Sequence, residues 1–202
     1  MALLKTLPLP DDPFLAQIAH AFNDNGYWAV VLDKKWRTVF VTDELRLSHG
    51  EEEGSNVAPI GTNIFGPENV RFRREIYRSN PVSAEYRREM FRQVGPYVLF
   101  GFDGDHDALR REIDRSLEDL VDGLRAENPP PVIRVARTTS YFGGTLVGGM
   151  QTILRADDGR GNLVGAVLLL KPNAGMSQLA AAAATADLGH LERMRLVERP
   201  DR

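Results

Sequence analysis

The spacing of apolar residues changes three times along the chain, and each change marks a different kind of element. Near the start, Phe14, Leu15, Ile18 and Phe22 recur at helical intervals behind Asp11, Asp12 and Pro13. Acidic residues at the cap and proline in the first turn suit a helix start. Asn23-Asp24-Asn25-Gly26 supplies the stop, because glycine takes the left-handed conformation at low cost. The period then shortens. Tyr27 to Leu32 (YWAVVL) and Arg37 to Thr42 (RTVFVT) are β-rich runs joined by Asp33-Lys34-Lys35-Trp36, a pattern that predicts a β-hairpin with a four-residue connection. Asp43 is placed to cap a short helix through Leu45 and Leu47 that ends near Gly50.

Residues 51–66, rich in Gly, Glu and Asn, read as a loop. Pro67 opens a weakly periodic helix carrying Val70, Phe72 and Ile76. Asn80-Pro81 opens a better one, with Val82, Tyr86, Met90 and Val94 at four-residue steps, and Gly95-Pro96 is expected to close it. Tyr97 to Phe102 then reads as a short strand or an extended connector. Leu109, Ile113, Leu117, Leu120, Val121 and Leu124 form one apolar stripe, which predicts a continuous helix over residues 107–125. Pro129-Pro130-Pro131 ends the helical block. The last third returns to strand: Val132 to Phe142, Thr145 to Ala156 and Asn162 to Lys171, separated by Gly143-Gly144 and by Asp157 to Gly161. After Gly175 a helix is expected to about Glu198, beginning with the tract Ala180 to Ala184. Two strands, about eighty helical residues, three strands and flanking helices imply an α+β fold with one antiparallel sheet.

Composition narrows the chemistry. The chain has 202 residues and is 43% hydrophobic, enough to bury a core. It has no cysteine, so disulfides, thiolate metal sites, iron–sulfur clusters and cysteine nucleophiles are excluded. A net charge of −3 argues against a dedicated nucleic-acid binder. No apolar run approaches the ~18 residues a membrane span needs. The stretch Leu3 to Pro10 is too short and too broken for a signal peptide, so the expected address is the cytoplasm.

Four motifs invite sharper readings. Gly143-Gly144-Thr145-Leu146-Val147-Gly148-Gly149-Met150 suggests a phosphate loop, but Met150 stands where the lysine belongs, and a turn with a glycine-bearing strand fits better. Asp103, Asp105, Asp107 and Asp114 have calcium-loop spacing, but Ala108 replaces the required glycine, and helix capping by Asp105 or Asp107 is the preferred role. The histidines, His20, His49, His106 and His190, are scattered, so haem ligation by one of them has only weak support, and no metal site is expected. Charge is segregated: seven Arg against three Glu from Arg71 to Arg92, then eight acids against three Arg from Asp103 to Asp122. That reads as two solvated faces that pair with each other or with a partner; an anion site at Arg71, Arg73 and Arg74 is the sharper alternative. No catalytic constellation is recognisable.

The run WAVVLDKKWRTVFVTDELRLSHG resembles the opening of a PAS domain: an apolar strand, an Asp-led turn, a second strand and a short helix. LRADDGRGNLVGAVLLLKP is similar to the last two PAS strands. The resemblance spans Tyr27 to Pro172. Two features depart from it. Thr42 stands where the second strand often ends in Asn, and the helical block is longer than usual. Over more of the chain, the sequence resembles the N-terminal region of actinobacterial class III adenylate/guanylate cyclases, with GHLERMRLVERPDR similar to their connecting helix. That family's catalytic residues lie in a domain absent here, so none is transferred.

The resemblance implies an arm and helix at 1–26, a PAS-like sensor domain at 27–172 with an enlarged helical block, and a connecting helix at 173–202. It implies a regulatory role, not catalysis: binding a small ligand, dimerising, or both, to control a fused effector, most plausibly a cyclase. A pocketless dimerisation module is the alternative, and a stand-alone enzyme on an α+β scaffold the third reading. In PAS topology a pocket lies between sheet and helices; here Val30, Leu32, Phe40, Met90, Leu99, Gly148, Met150 and Val167 would line it, suiting an apolar or planar ligand. The first strand should lie between the second and the fifth. Phe14, Ile18 and Phe22, with Leu188, Leu191, Met194 and Val197, are the candidate homodimer contacts, although the second set steps by three and drifts around its helix.

Overall fold

The computed structural model describes residues 4, 6–48, 59–76, 84–142 and 145–170; for residues 48, 75–76, 136–142, 145–150 and 170 it describes the backbone alone. Of the expectations above, the loop at 51–58, the helix start at Asn80-Pro81, the Gly143-Gly144 turn and everything after Leu170 lie outside the described residues.

The first helix, α1 (Pro13–Asp24), begins where its cap chemistry requires. Asp12 Oδ1 accepts from the N–H groups of Phe14 and Leu15, satisfying two of the donors a helix start leaves free. Gly26, at φ 66°, turns the chain out of it. Strands β1 (Ala29–Asp33) and β2 (Thr38–Val41) form the expected hairpin. Thr42, fully buried, ends it: its Oγ1 accepts from Ala29 N–H at 3.0 Å and donates to the Ala29 carbonyl at 3.3 Å. A hydroxyl thus ties the strand end to β1. The Thr42 carbonyl also accepts from Arg46 N–H. Thr42, and not Asp43, is therefore the residue that precedes α2 (Asp43–Ser48); Asp43 is the first helical residue, and its carboxylate pairs with Arg46 at 2.8 Å.

After α3 (Pro67–Ile76), α4 (Ala84–Phe100) runs through Pro96 without stopping. The closure expected at Gly95-Pro96 is corrected, and Tyr97 to Phe100 is helix. Proline removes one helical donor. Here Gly95 stands against Leu124 and Pro96 offers its carbonyl to Glu127 N–H, while Val98 and Leu99 are fully buried one turn on. Burial of that extra turn outweighs the lost bond.

The continuous helix expected at 107–125 is also corrected. It is broken into α5 (His106–Glu112), a 3₁₀ turn at Arg115–Leu117 and α6 (Glu118–Val121). Ile113 is extended, at ψ 160°, and Asp114 starts the next turn by accepting from Ser116 N–H. Asp114 N–H meanwhile donates to the Phe65 carbonyl. The apolar stripe survives the break: Leu109, Ile113, Leu117 and Val121 are buried, whereas Leu120 and Leu124 are partly buried against them.

Strands β3 (Val132–Phe142), β4 (Thr145–Asp157) and β5 (Leu163–Leu170) complete one sheet. Its order is β2-β1-β5-β4-β3, every neighbouring pair antiparallel. The fold is α+β, and β1 lies between β2 and β5 as expected. The helical block covers one sheet face through Leu32, Val135, Ile153, Ala166 and Leu168. Helix α1 covers the other through Leu15 and Ala19, against Val31, Phe40 and Ala156.

Candidate functional site

The candidate pocket is the space between the sheet and the helical block. Val30, Leu32, Met90 and Leu99 do meet there. Leu32 and Leu99 are 0% exposed and Met90 2%, and they pack with Phe91, Val94, Leu109 and Leu117. These side chains fill the space they were expected to line. Phe40 and Val167 do not join them. Both stand opposite Val31 in the register, and residues directly opposite share a sheet face. Phe40 accordingly packs under α1. The eight residues therefore do not converge on one site. Gly148 and Met150 sit in β4, where only the backbone is described.

Among the described residues, a small cavity lies beside the β1–β2 turn, lined by Asp33, Trp36, Ile153, Arg155 and Ala166. Its volume is about 10 Å³, the room a single water needs. The turn is tightly built. Asp33 Oδ1 accepts from the N–H groups of Lys35 at 2.9 Å and Arg37 at 2.8 Å. Trp36 is buried at φ 61°, a left-handed conformation costly for a bulky residue, held by its N–H on the Asp33 carbonyl and its carbonyl on Ile64 N–H. Arg155 donates to Asp157, to Asn128 and to the Pro129 carbonyl, which fastens the polyproline segment to the sheet. Sequence reasoning marked the turn but not these roles; the Asp at its head, an Asx-turn residue, was the available signal.

Burial pushes the Asp33 carboxyl above the usual carboxylate range, against the pull of its two N–H donors and of Arg37 and Lys35. The native state therefore holds this proton to higher pH than the unfolded chain does, and stability from this group falls as pH rises through that window. Asparagine keeps an oxygen for both N–H donors and has no charge to bury. Asp33→Asn is expected to gain stability relative to the parent as pH rises from about 3 to 7, and to lose that gain at the acid end. Urea unfolding of both proteins across that range measures it; a gap that narrows with rising pH would refute the assignment.

The other candidates have structural roles. Asp105 caps α5 by accepting from Ala108 N–H, Asp107 pairs with Arg110 at 2.8 Å, and Asp114 caps the 3₁₀ turn. Asp103 has φ 56°. These carboxylates do not converge. His20 pairs with Asp24 on the exposed side of α1, and His106 bonds the Leu124 carbonyl. The two charged stretches meet at Arg88, which forms a fork with Asp119 at 2.7 and 2.6 Å. Arg87, buried in α4, has its charge disfavoured first by burial and then by Arg74, with Asp114 opposing.

No family model matches the chain. No curated protein matches it either. A solved structure described as the PAS domain from Bordetella pertussis BvgS is similar over 86% of this chain and 98% of that one, at 13% identity and a TM-score of 0.41. At that distance the strand order and register, not this likeness, carry the fold. No helix among the described residues is long and apolar enough to cross a membrane.

Of the candidate dimer contacts, Phe14 is 38% exposed and Phe22 partly buried, its ring edge-on to exposed Tyr27 with centroids 5.1 Å apart. Ile18 is half-committed, packed against the Leu15 cluster. Leu188, Leu191, Met194 and Val197 lie outside the described residues.

Proposed function

We propose that this chain is a PAS-like regulatory domain that acts by contact, self-associating through Phe14 and Phe22 at the two ends of α1 and thereby setting the geometry of a fused effector. The effector implied by the sequence resemblance is a class III nucleotidyl cyclase. The observation that carries the reading is the filled interior: Leu32, Met90 and Leu99 pack against helix side chains, and the described cavity holds about one water. A described interior filled by its own side chains favours regulation through the surface. Phe14 and the Phe22–Tyr27 pair give α1 aromatic groups at both ends, and aromatic residues are enriched in interface cores.

Light scattering at high micromolar concentration is expected to give twice the 22.5 kDa chain mass. The double variant Phe14→Asp/Phe22→Asp should be monomeric while melting within a few degrees of the parent. A monomeric parent, or a dimer that survives both changes, would overturn the reading.

A further inference from the structure

Residues 59–66 form a strap along the outer edge of the β1–β2 hairpin. Thr38 N–H donates to the Thr62 carbonyl at 2.9 Å, Gly61 N–H to the Thr38 carbonyl at 2.7 Å, and Ile64 N–H to the Trp36 carbonyl at 3.0 Å. Buried Asn63 ties the strap to the turn: its Nδ2 donates to the Lys35 carbonyl at 2.8 Å, and its Oδ1 accepts from Phe65 N–H at 2.9 Å. Asn69, in α3, donates to Thr62 Oγ1 and to the Asn63 carbonyl and so holds the strap from its other side. These bonds keep Trp36 at its φ of 61°, a conformation that persists only where the surroundings over-determine it.

The far end of the strap meets the helical block where the apolar stripe breaks. The Phe65 carbonyl accepts from Asp114 N–H at 2.8 Å, a donor that a continuous helix would direct to the Arg110 carbonyl. The Phe65 ring lies 6.4 Å from that of Trp36 and 5.1 Å from that of Phe91 in α4, centroid to centroid. A Cβ at Gly66 would lie 2.9 Å from the Glu112 carbonyl oxygen, so strap and α5 touch backbone to backbone. A second tie runs beside the first: Arg37 donates to both carboxylate oxygens of Glu112. On the opposite face of the sheet, Phe40 of β2 packs under α1. Motion of α1 against β2 therefore has a path to the helical block around the edge of the sheet.

We propose that residues 59–66 are a relay strap: the β1–β2 turn, the strap and the junction of α5 with the 3₁₀ turn open and close as one unit. Such units open locally, at lower cost than global unfolding, and a change anywhere in one is felt by all its amides. The relay goes beyond the contact function and stands without it, because it is read within one chain and that function from mass.

The test is amide hydrogen exchange on the full chain and on two variants, one at each end of the unit. Asn63→Ala leaves the Lys35 carbonyl and Phe65 N–H without their partner. It should speed exchange at Thr38, Ile64, Asp114 and Leu117 by one common factor, at least about tenfold, with Ala19 in α1 and Val167 in β5 unchanged. Asp114→Ala removes the cap of the 3₁₀ turn. It should nonetheless speed Thr38 and Ile64 about fivefold, the size of a lost cap, whereas a purely local cap would leave both untouched. Should Asn63→Ala not fold, Asp114→Ala decides alone. Acceleration confined to the altered end would overturn the relay. So would equal acceleration at Ala19 and Val167, which would report loosening of the whole fold.

Discussion

Leu117→Asp is expected to cost the fold at least about 4 kcal/mol. Leu117 is 0% exposed and closes the 3₁₀ turn that joins α5 to α6. Removing a buried leucine side chain costs about 2–5 kcal/mol from lost transfer and the cavity left behind. The carboxyl that replaces it must be desolvated or protonated among Leu109, Val121 and their neighbours, which adds to the loss. For a chain of this size the melting temperature should fall by roughly 8–16 °C. Leu120→Asp, at a partly buried position, should cost less than half as much. Melting of the Leu117 variant within a few degrees of the parent would show that this stripe does not face the core.

Gly101→Ala is the second large effect. A Cβ at Gly101 would lie 1.8 Å from the Lys34 carbonyl oxygen, and backbone cannot swing away as a side-chain tip can. The β1–β2 turn and the end of α4 touch backbone to backbone at this point. Forcing them apart should cost about 3 kcal/mol, at the upper end for overpacking. Gly123→Ala, where nothing lies within 4 Å, is the matched control and should change stability by no more than about 0.5 kcal/mol. Equal thermal melting of the two variants would contradict the close approach.

Much of this architecture is legible in the residues. The apolar run YWAVVL, the β-rich runs RTVFVT and Val132 to Phe142, and the Asp-Gly turn between Thr145 to Ala156 and NLVGAVLLLK mark all five strands. Asp12 announces α1 because few residues besides Ser, Thr, Asp and Asn satisfy a helix start. The breaks were not legible, for a physical reason. At Pro96 the local rule says stop, and the buried turn at Val98 and Leu99 overrides it. At Ile113 the stripe says continue, and Asp114 and the distant Phe65 carbonyl override that. Both decisions depend on partners remote in sequence.

The candidate site was legible in half. Spacing places Leu32, Met90 and Leu99 toward the helices, but spacing alone does not say whether side chains line a space or fill it. The face of Phe40 and Val167 depends on cross-strand register: both pair with Val31, and a one-residue difference in pairing moves a side chain to the other face. The roles of Gly101 and Arg155 were invisible because each is defined by a backbone group far along the chain.

The central claim is that the space between sheet and helices is a packed core. Native mass spectrometry of the full chain, purified without added ligand, tests it most directly. The account predicts whole multiples of the 22.5 kDa chain mass with nothing retained. A bound small molecule that stays through purification and is lost in Leu99→Trp would contradict it, by showing that the interior opens to hold a ligand.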